Sequence, residues 1–209
     1  VKDEKYARYL CIRLNMLHGP GSLSKGKALI KDKLGVDIDQ SLKCREDQPL
    51  YMSMIWRTLS EVAFMSGEDG QALNFVRQAI THNEGESLAD DLFYRCTLGR
   101  LLILADQLDE AKEVLNTLYC KITSPRLQHD PDCIRSLPFV TVYLARVYAI
   151  AGDLQTGRKF LEEHKRCKEE GTPEIELIEF EVEAFLTSSR GELDYLEESW
   201  KGLLQRGNK

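Results

Sequence analysis

Nowhere does this chain run for about 20 uninterrupted apolar residues, the length that crosses a bilayer, so membrane insertion is not expected. Positive charge is outweighed, with 28 Lys and Arg against 34 Asp and Glu, which argues against generic electrostatic binding to nucleic acid. Proline is scarce at six residues and strand-like alternation is rare, which favours an all-helical chain. The six cysteines, Cys11, Cys44, Cys96, Cys120, Cys133 and Cys167, show no pairing rhythm and no C-x-x-C. Reduced thiols in the cytoplasm, or the nucleus, are expected rather than a disulfide framework. Val1 to Leu10 is too charged for a secretory signal. Val1 in place of an initiator Met suggests a piece of a longer protein.

What the chain does have is a phrase that returns. Trp56-x-x-Leu59-Ser60-x-x-Ala63-Phe64 leads to Gly67-Glu68-Asp69-x-x-Ala72 and closes on Ala79-Ile80. Leu98-Gly99-x-x-Leu102 leads to Leu108-Asp109-Glu110-Ala111, then Leu115 and Leu118. Leu144-Ala145-x-x-Tyr148 leads to Gly152-Asp153-Leu154-x-x-Gly157, then Leu161. A weaker copy runs from Gly191-Glu192-Leu193 through Leu196 to Trp200 and Leu203. Self-similarity of this kind marks a helical repeat array.

The phrase has a physical logic. A small residue after each Leu (Ser60, Gly99, Ala145) lets two helices approach closely, and an apolar residue one turn on faces the same side. Gly or Asp then supplies the left-handed stop, and an acidic neighbour suits the next helix N-terminus. The small residue of the second helix (Ala72, Ala111, Gly157) again permits close packing.

These residues resemble the tetratricopeptide repeat family, through Trp56, Leu59, Ala63, Ala72 and Ala79, then Leu98, Gly99 and Ala111, then Leu144, Tyr148 and Gly152. The likeness covers roughly residues 49–206. Its steps are longer than the family's roughly 34 residues: Ala28, Ala72, Ala111, Gly157 and Leu196 are spaced by 44, 39, 46 and 39. The resemblance implies an all-α fold, an α-solenoid of about five antiparallel helix pairs forming a right-handed superhelix, as one domain over 1–209.

Periodicity predicts helices over 3–18 and 23–34, 49–66 and 69–82, 88–105 and 108–122, 137–151 and 154–170, and 174–188 and 192–206. Residues 35–48 and 123–136 are expected as long connections. Pro49, Pro138 and Pro173 are placed near first helical turns, where a missing N–H costs nothing. Gly19-Pro20-Gly21-Ser22 reads equally as an engineered junction or as an interhelix turn. Trp200, Leu203 and Leu204 form an apolar seam, to pack on Phe180 and Phe185 or to continue the array.

Signals for chemistry are weak. Gly21 to Lys27 satisfies G-x-x-x-x-G-K, a phosphate-cradling pattern. Ala28 replaces the Mg²⁺-binding hydroxyl, and the residues before it read as a helix rather than a strand. A nucleotide-binding enzyme is therefore only a remote alternative. His129-Asp130-Pro131-Asp132-Cys133 gathers metal-ligand residue types in one loop, and His164 and Cys167 share a helix face. Neither has the second ligand pair that zinc needs. The acid-rich stretch Glu174 to Glu183 is expected as a solvated helical face. No catalytic residue, metal or cofactor is assigned.

The resemblance implies that the first helix of each pair lines a concave groove. In that register Met54, Arg57, Glu61, Phe93, Cys96, Arg100, Phe139, Val142 and Arg146 face it. This is a basic and aromatic stripe on an acidic chain, suited to a protein segment with acidic and apolar residues. The same arginines could instead bridge acids on neighbouring helices. The family's chaperone-tail clamp needs Asn and Lys where this chain has Thr58, Glu61, Thr97, Arg100, Tyr143 and Arg146, so chaperone-tail binding is not implied. The expected function is a non-enzymatic interaction scaffold or adaptor subunit of a multiprotein complex. The alternative is a regulatory sensor whose repeats bind a peptide or small ligand.

Overall fold

The computed structural model describes residues 10, 11, 13, 14, 17, 21–41, 51–83, 87–167 and 173–188. The helix start before residue 10, the Gly19-Pro20 half of the Gly-Pro-Gly-Ser turn, Cys44, Pro49, the fourth copy with its 192–206 helix and the Trp200–Leu204 seam lie outside the described residues. Among the described residues all regular structure is helical. The chain divides into two compact units, Val1–Asp106 and Gln107–Lys209.

The N-terminal unit holds α1 (Ser22–Leu34), the short α2 (Ile38–Ser41), α3 (Met52–Met65), α4 (Asp69–His82) and α5 (Leu88–Leu104). α2 falls within the expected 35–48 connection. Helix α3 buries Met52, Ile55, Trp56, Leu59, Val62 and Ala63, the three- and four-residue spacing of one helix face. α4 answers with Ala72, Leu73, Phe75, Val76 and Ala79. Between them Trp56, wholly buried, stacks on Phe75 with ring centroids 5.7 Å apart and on His82 at 6.4 Å. Gly67 at φ 77° makes the turn from α3 into α4. A side chain there would clash with its own backbone, so glycine is required for the left-handed step. α5 packs on α4, and its Ser87 cap accepts from the Asp90 N–H at 3.3 Å.

The C-terminal unit holds α6 (Leu108–Ile122), α7 (Pro131–Ile150), α8 (Leu154–Cys167) and α9 (Pro173–Ser188). α7 is its centre and packs on the other three. Two sequence expectations change here. The 123–136 stretch is not one long loop: Asp130 accepts from the N–H groups of Asp132 and Cys133 at 2.9 and 3.4 Å, so α7 starts at Pro131. Pro138 therefore lies inside the helix rather than in its first turn. Its missing N–H leaves the Ile134 carbonyl without the usual helical partner. Thr141 Oγ1 donates to the carbonyls of Leu137 and Pro138 at 2.9 and 3.1 Å, and buried His164 donates from Nδ1 to the Pro138 carbonyl at 2.8 Å. The side chains thus take up carbonyls around the break. By length and composition α7 could cross a membrane, but half of its apolar window is buried in this unit, as befits a core helix.

Close helix contact is sharpest at Gly157. A Cβ there would sit 3.3 Å from both the Ala145 carbonyl oxygen and the Ala149 nitrogen, so α8 lies against the α7 backbone itself. On α9, Ile175, Ile178, Val182 and Leu186 form the buried stripe. The acids between them are less solvated than expected: Glu179 is buried, Glu181 bonds Arg146, and Glu183 pairs with Lys165.

Candidate functional site

The stretch Gly21–Lys27 belongs to no phosphate loop, because α1 begins at Ser22 and carries it as helix. Gly26 faces inward against Leu14 and Leu59, and Lys27 bonds Asp39 at 2.8 Å and Gln71 at 3.0 Å while lying over Phe75. The loop acids near His129 serve as a helix cap, and Cys133 is buried. Cys167 Sγ donates to the His164 carbonyl at 3.4 Å. Among the described residues no cluster of His, Cys, Asp and Glu could hold a metal ion. Cys11, Cys96, Cys120, Cys133 and Cys167 are free thiols. Burial raises the Cys11 thiol above its ordinary value, despite a Thr58 hydrogen bond and nearby Arg57.

The first-helix faces are better formed. In the N-terminal unit, Arg57 of α3 lies over Phe93 of α5, 4.5 Å from the ring centroid, and Glu61 of α3 pairs with Arg100 of α5. Contacts 57 to 93 and 61 to 100 advance in the same sense, so α3 and α5 run parallel and share one face. Phe93 is 48% exposed, whereas Cys96 is only 8% exposed and belongs to the packed wall. Arg57 also reaches Glu61 Oε1 at 3.5 Å, and its Nε is buried without a hydrogen-bond acceptor. Burial lowers the Arg57 pKa from its ordinary value, with Glu61 opposing the shift and Arg100 adding to it. Met54 is half-buried, and its carbonyl accepts from Thr58 Oγ1 at 2.8 Å.

In the C-terminal unit, Arg146 of α7 donates to Glu181 of α9 at 2.9 Å, with its own Nε buried and lacking an acceptor. Phe139 is 38% exposed, but Val142 is wholly buried, so its side chain is core and not surface. Sequence reading missed the flanks of both faces. Met65 and Leu104 are exposed four residues beyond Glu61 and Arg100, and Leu177 and Phe185 are exposed four residues either side of Glu181. The i, i+4 step along each first helix was the signal that could have found them.

The bridging alternative for the arginines therefore holds at Arg100 and Arg146: each reaches an acid on the next first helix. The polar positions of the chaperone-tail clamp are also closed. Thr58 and Thr97 are buried and donate to the carbonyls of Met54 and Phe93, four residues back on their own helices, and Tyr143 is buried.

Paired helices, left-handed turns and small residues at the crossings define an all-α chain of tetratricopeptide-like repeat fold. Among solved structures it is similar to one described as Podosopora anserina putative kinesin light chain nearly identical TPR-like repeats: 16% identity, TM-score 0.56, covering 98% of this chain and 92% of that one. A glutamine-to-methionine variant of those repeats matches at 16% identity and TM-score 0.58, covering 99% and 95%. No protein-family model matches the chain, and no curated protein does. The likeness carries the fold alone, and helical repeat arrays of this kind generally present extended binding surfaces.

Proposed function

We propose that this chain is an interaction scaffold or adaptor subunit of a multiprotein complex, holding a protein segment with acidic and apolar residues on its first-helix faces. The observation that carries the reading is the repeated pattern of those faces. In each unit an arginine–glutamate pair between first helices is flanked by exposed Phe, Leu or Met. Aromatic residues, Met and Arg are enriched in protein interfaces relative to the rest of the surface. The free thiols suit a reducing compartment such as the cytoplasm. The test is affinity capture from a cell lysate with wild type beside Phe93→Ala/Phe139→Ala, two surface changes that leave the ion pairs in place. A discrete protein set that binds wild type and is lost in the variant is expected. A set retained by both would move the interface off these faces.

A further inference from the structure

Arg57 is only partly satisfied on the N-terminal face. Both carboxylate oxygens of Glu61 accept from Arg100 Nη2, leaving Arg57 a single long contact of 3.5 Å. Its Nε is buried without an acceptor, and its guanidinium lies over the exposed ring of Phe93. The Arg57 side chain keeps only 24% exposure, so water compensates poorly for the long contact to Glu61. Glu61 itself shows that a carboxylate fits between the two guanidinium groups. Met65 and Leu104 extend the face beyond that point, giving an apolar–charged–apolar strip over the twelve residues from Met54 to Met65, about 16 Å of helix.

We propose that Glu61 occupies, from within the chain, the place of a partner's carboxylate, so that the α3–α5 face takes an acidic segment flanked by apolar residues and Glu61 sets the threshold for its binding. The inference builds on the scaffold reading above and deepens it. An incoming Asp or Glu beside Phe93 supplies Arg57 with a closer carboxylate than Glu61, which it reaches only at 3.5 Å, while the neighbouring apolar side chain lies on the ring. Glu61 repels that carboxylate and holds Arg100 away from it. Planar, bidentate pairing favours arginine for this recognition.

The consequence is counterintuitive: removing an acid should tighten binding. The experiment is fluorescence anisotropy with a labelled peptide of alternating Glu and Leu, beside its Gln and Leu counterpart, on the full chain. Glu61→Gln, nearly isosteric, is expected to bind the acidic probe roughly tenfold tighter than wild type, equivalent to about 1.4 kcal/mol. The neutral probe should show no such gain. Glu61→Gln/Arg57→Gln should return to wild-type affinity or below, and the gain should shrink in high salt. Phe93→Ala, at an exposed position that does not threaten folding, should weaken the acidic probe in the otherwise wild-type chain. Equal or weaker binding by Glu61→Gln, or no binding of the acidic probe by any variant, would overturn the assignment. The two readings fail separately. Lysate partners lost with Phe93→Ala/Phe139→Ala but indifferent to Glu61→Gln sink this inference and leave the scaffold standing. Partners indifferent to all of these changes sink both.

Discussion

A glycine-to-alanine change inside a helix ordinarily stabilises a protein by roughly 0.5–1 kcal/mol, because glycine loses more backbone freedom on folding. Gly157 should reverse that sign. An added Cβ would stand 3.3 Å from the Ala145 oxygen and the Ala149 nitrogen, and 3.6 Å from the Ala149 Cα. All three are backbone atoms of α7, so no flexible side chain can swing away. Relief requires α7 and α8 to part by a few tenths of an ångström, which also loosens Leu144, Ala145 and Leu161 around the crossing. Overpacking of this kind costs about 1–3 kcal/mol, so Gly157→Ala should lose about 1 kcal/mol net and Gly157→Val more. Gly70 in the first turn of α4 is the control: nothing lies within 4 Å of a Cβ placed there. Gly70→Ala should gain a few tenths to about 1 kcal/mol. Urea unfolding followed by far-ultraviolet circular dichroism reads both. A Gly157→Ala protein as stable as wild type, or more so, would refute the claim that backbone contact sets this crossing.

Two further outcomes follow from other parts of the fold. Tyr119 donates to both carboxylate oxygens of Glu163, at 2.7 and 2.9 Å, and desolvation, with Glu163 adding to it, pushes its pKa up from 10.0 to about 12. The folded state keeps a proton that the unfolded chain gives up, so the contribution is whole below pH 10 and is lost as pH rises towards 12. Tyr119→Phe should flatten the alkaline limb of the stability curve in that window; an unchanged limb would refute the coupling. Asp130→Ala should cost about 1 kcal/mol, within the usual range for a lost N-cap, and thermal melting checks it. No loss would mean that α7 is started by Pro131 alone.

How much of this was legible beforehand differs by element. Pairs α3–α4 and α7–α8 could be read because Gly67 and Gly152 each stop one helix and stand two residues before the next begins. The start of α7 could not be read correctly, because two prolines seven residues apart both suit a first turn. The Asp130 side chain decided for Pro131 by bonding two free N–H groups, which places Pro138 in the helix interior. The placement of Phe93, Arg100, Phe139 and Arg146 on α5 and α7 was legible as a helical spacing. The burial of Val142 and Cys96 was not, since only about 60° around the helix separates each from exposed Phe139 and Phe93 three residues before.

By itself the sequence determined what is local and periodic: which stretches are helical apart from α2 and the start of α7, where small residues allow close crossings, and where left-handed Gly67, Asp106 and Gly152 end α3, α5 and α7. Those properties depend on backbone sterics and on the spacing of apolar side chains within one or two turns. Only the tertiary structure decided which acids Arg100 and Arg146 meet. Glu61 finds Arg100 from 39 residues away, and Glu181 finds Arg146 from 35. Such pairings are set by which helices lie side by side, and no local pattern of charge encodes them.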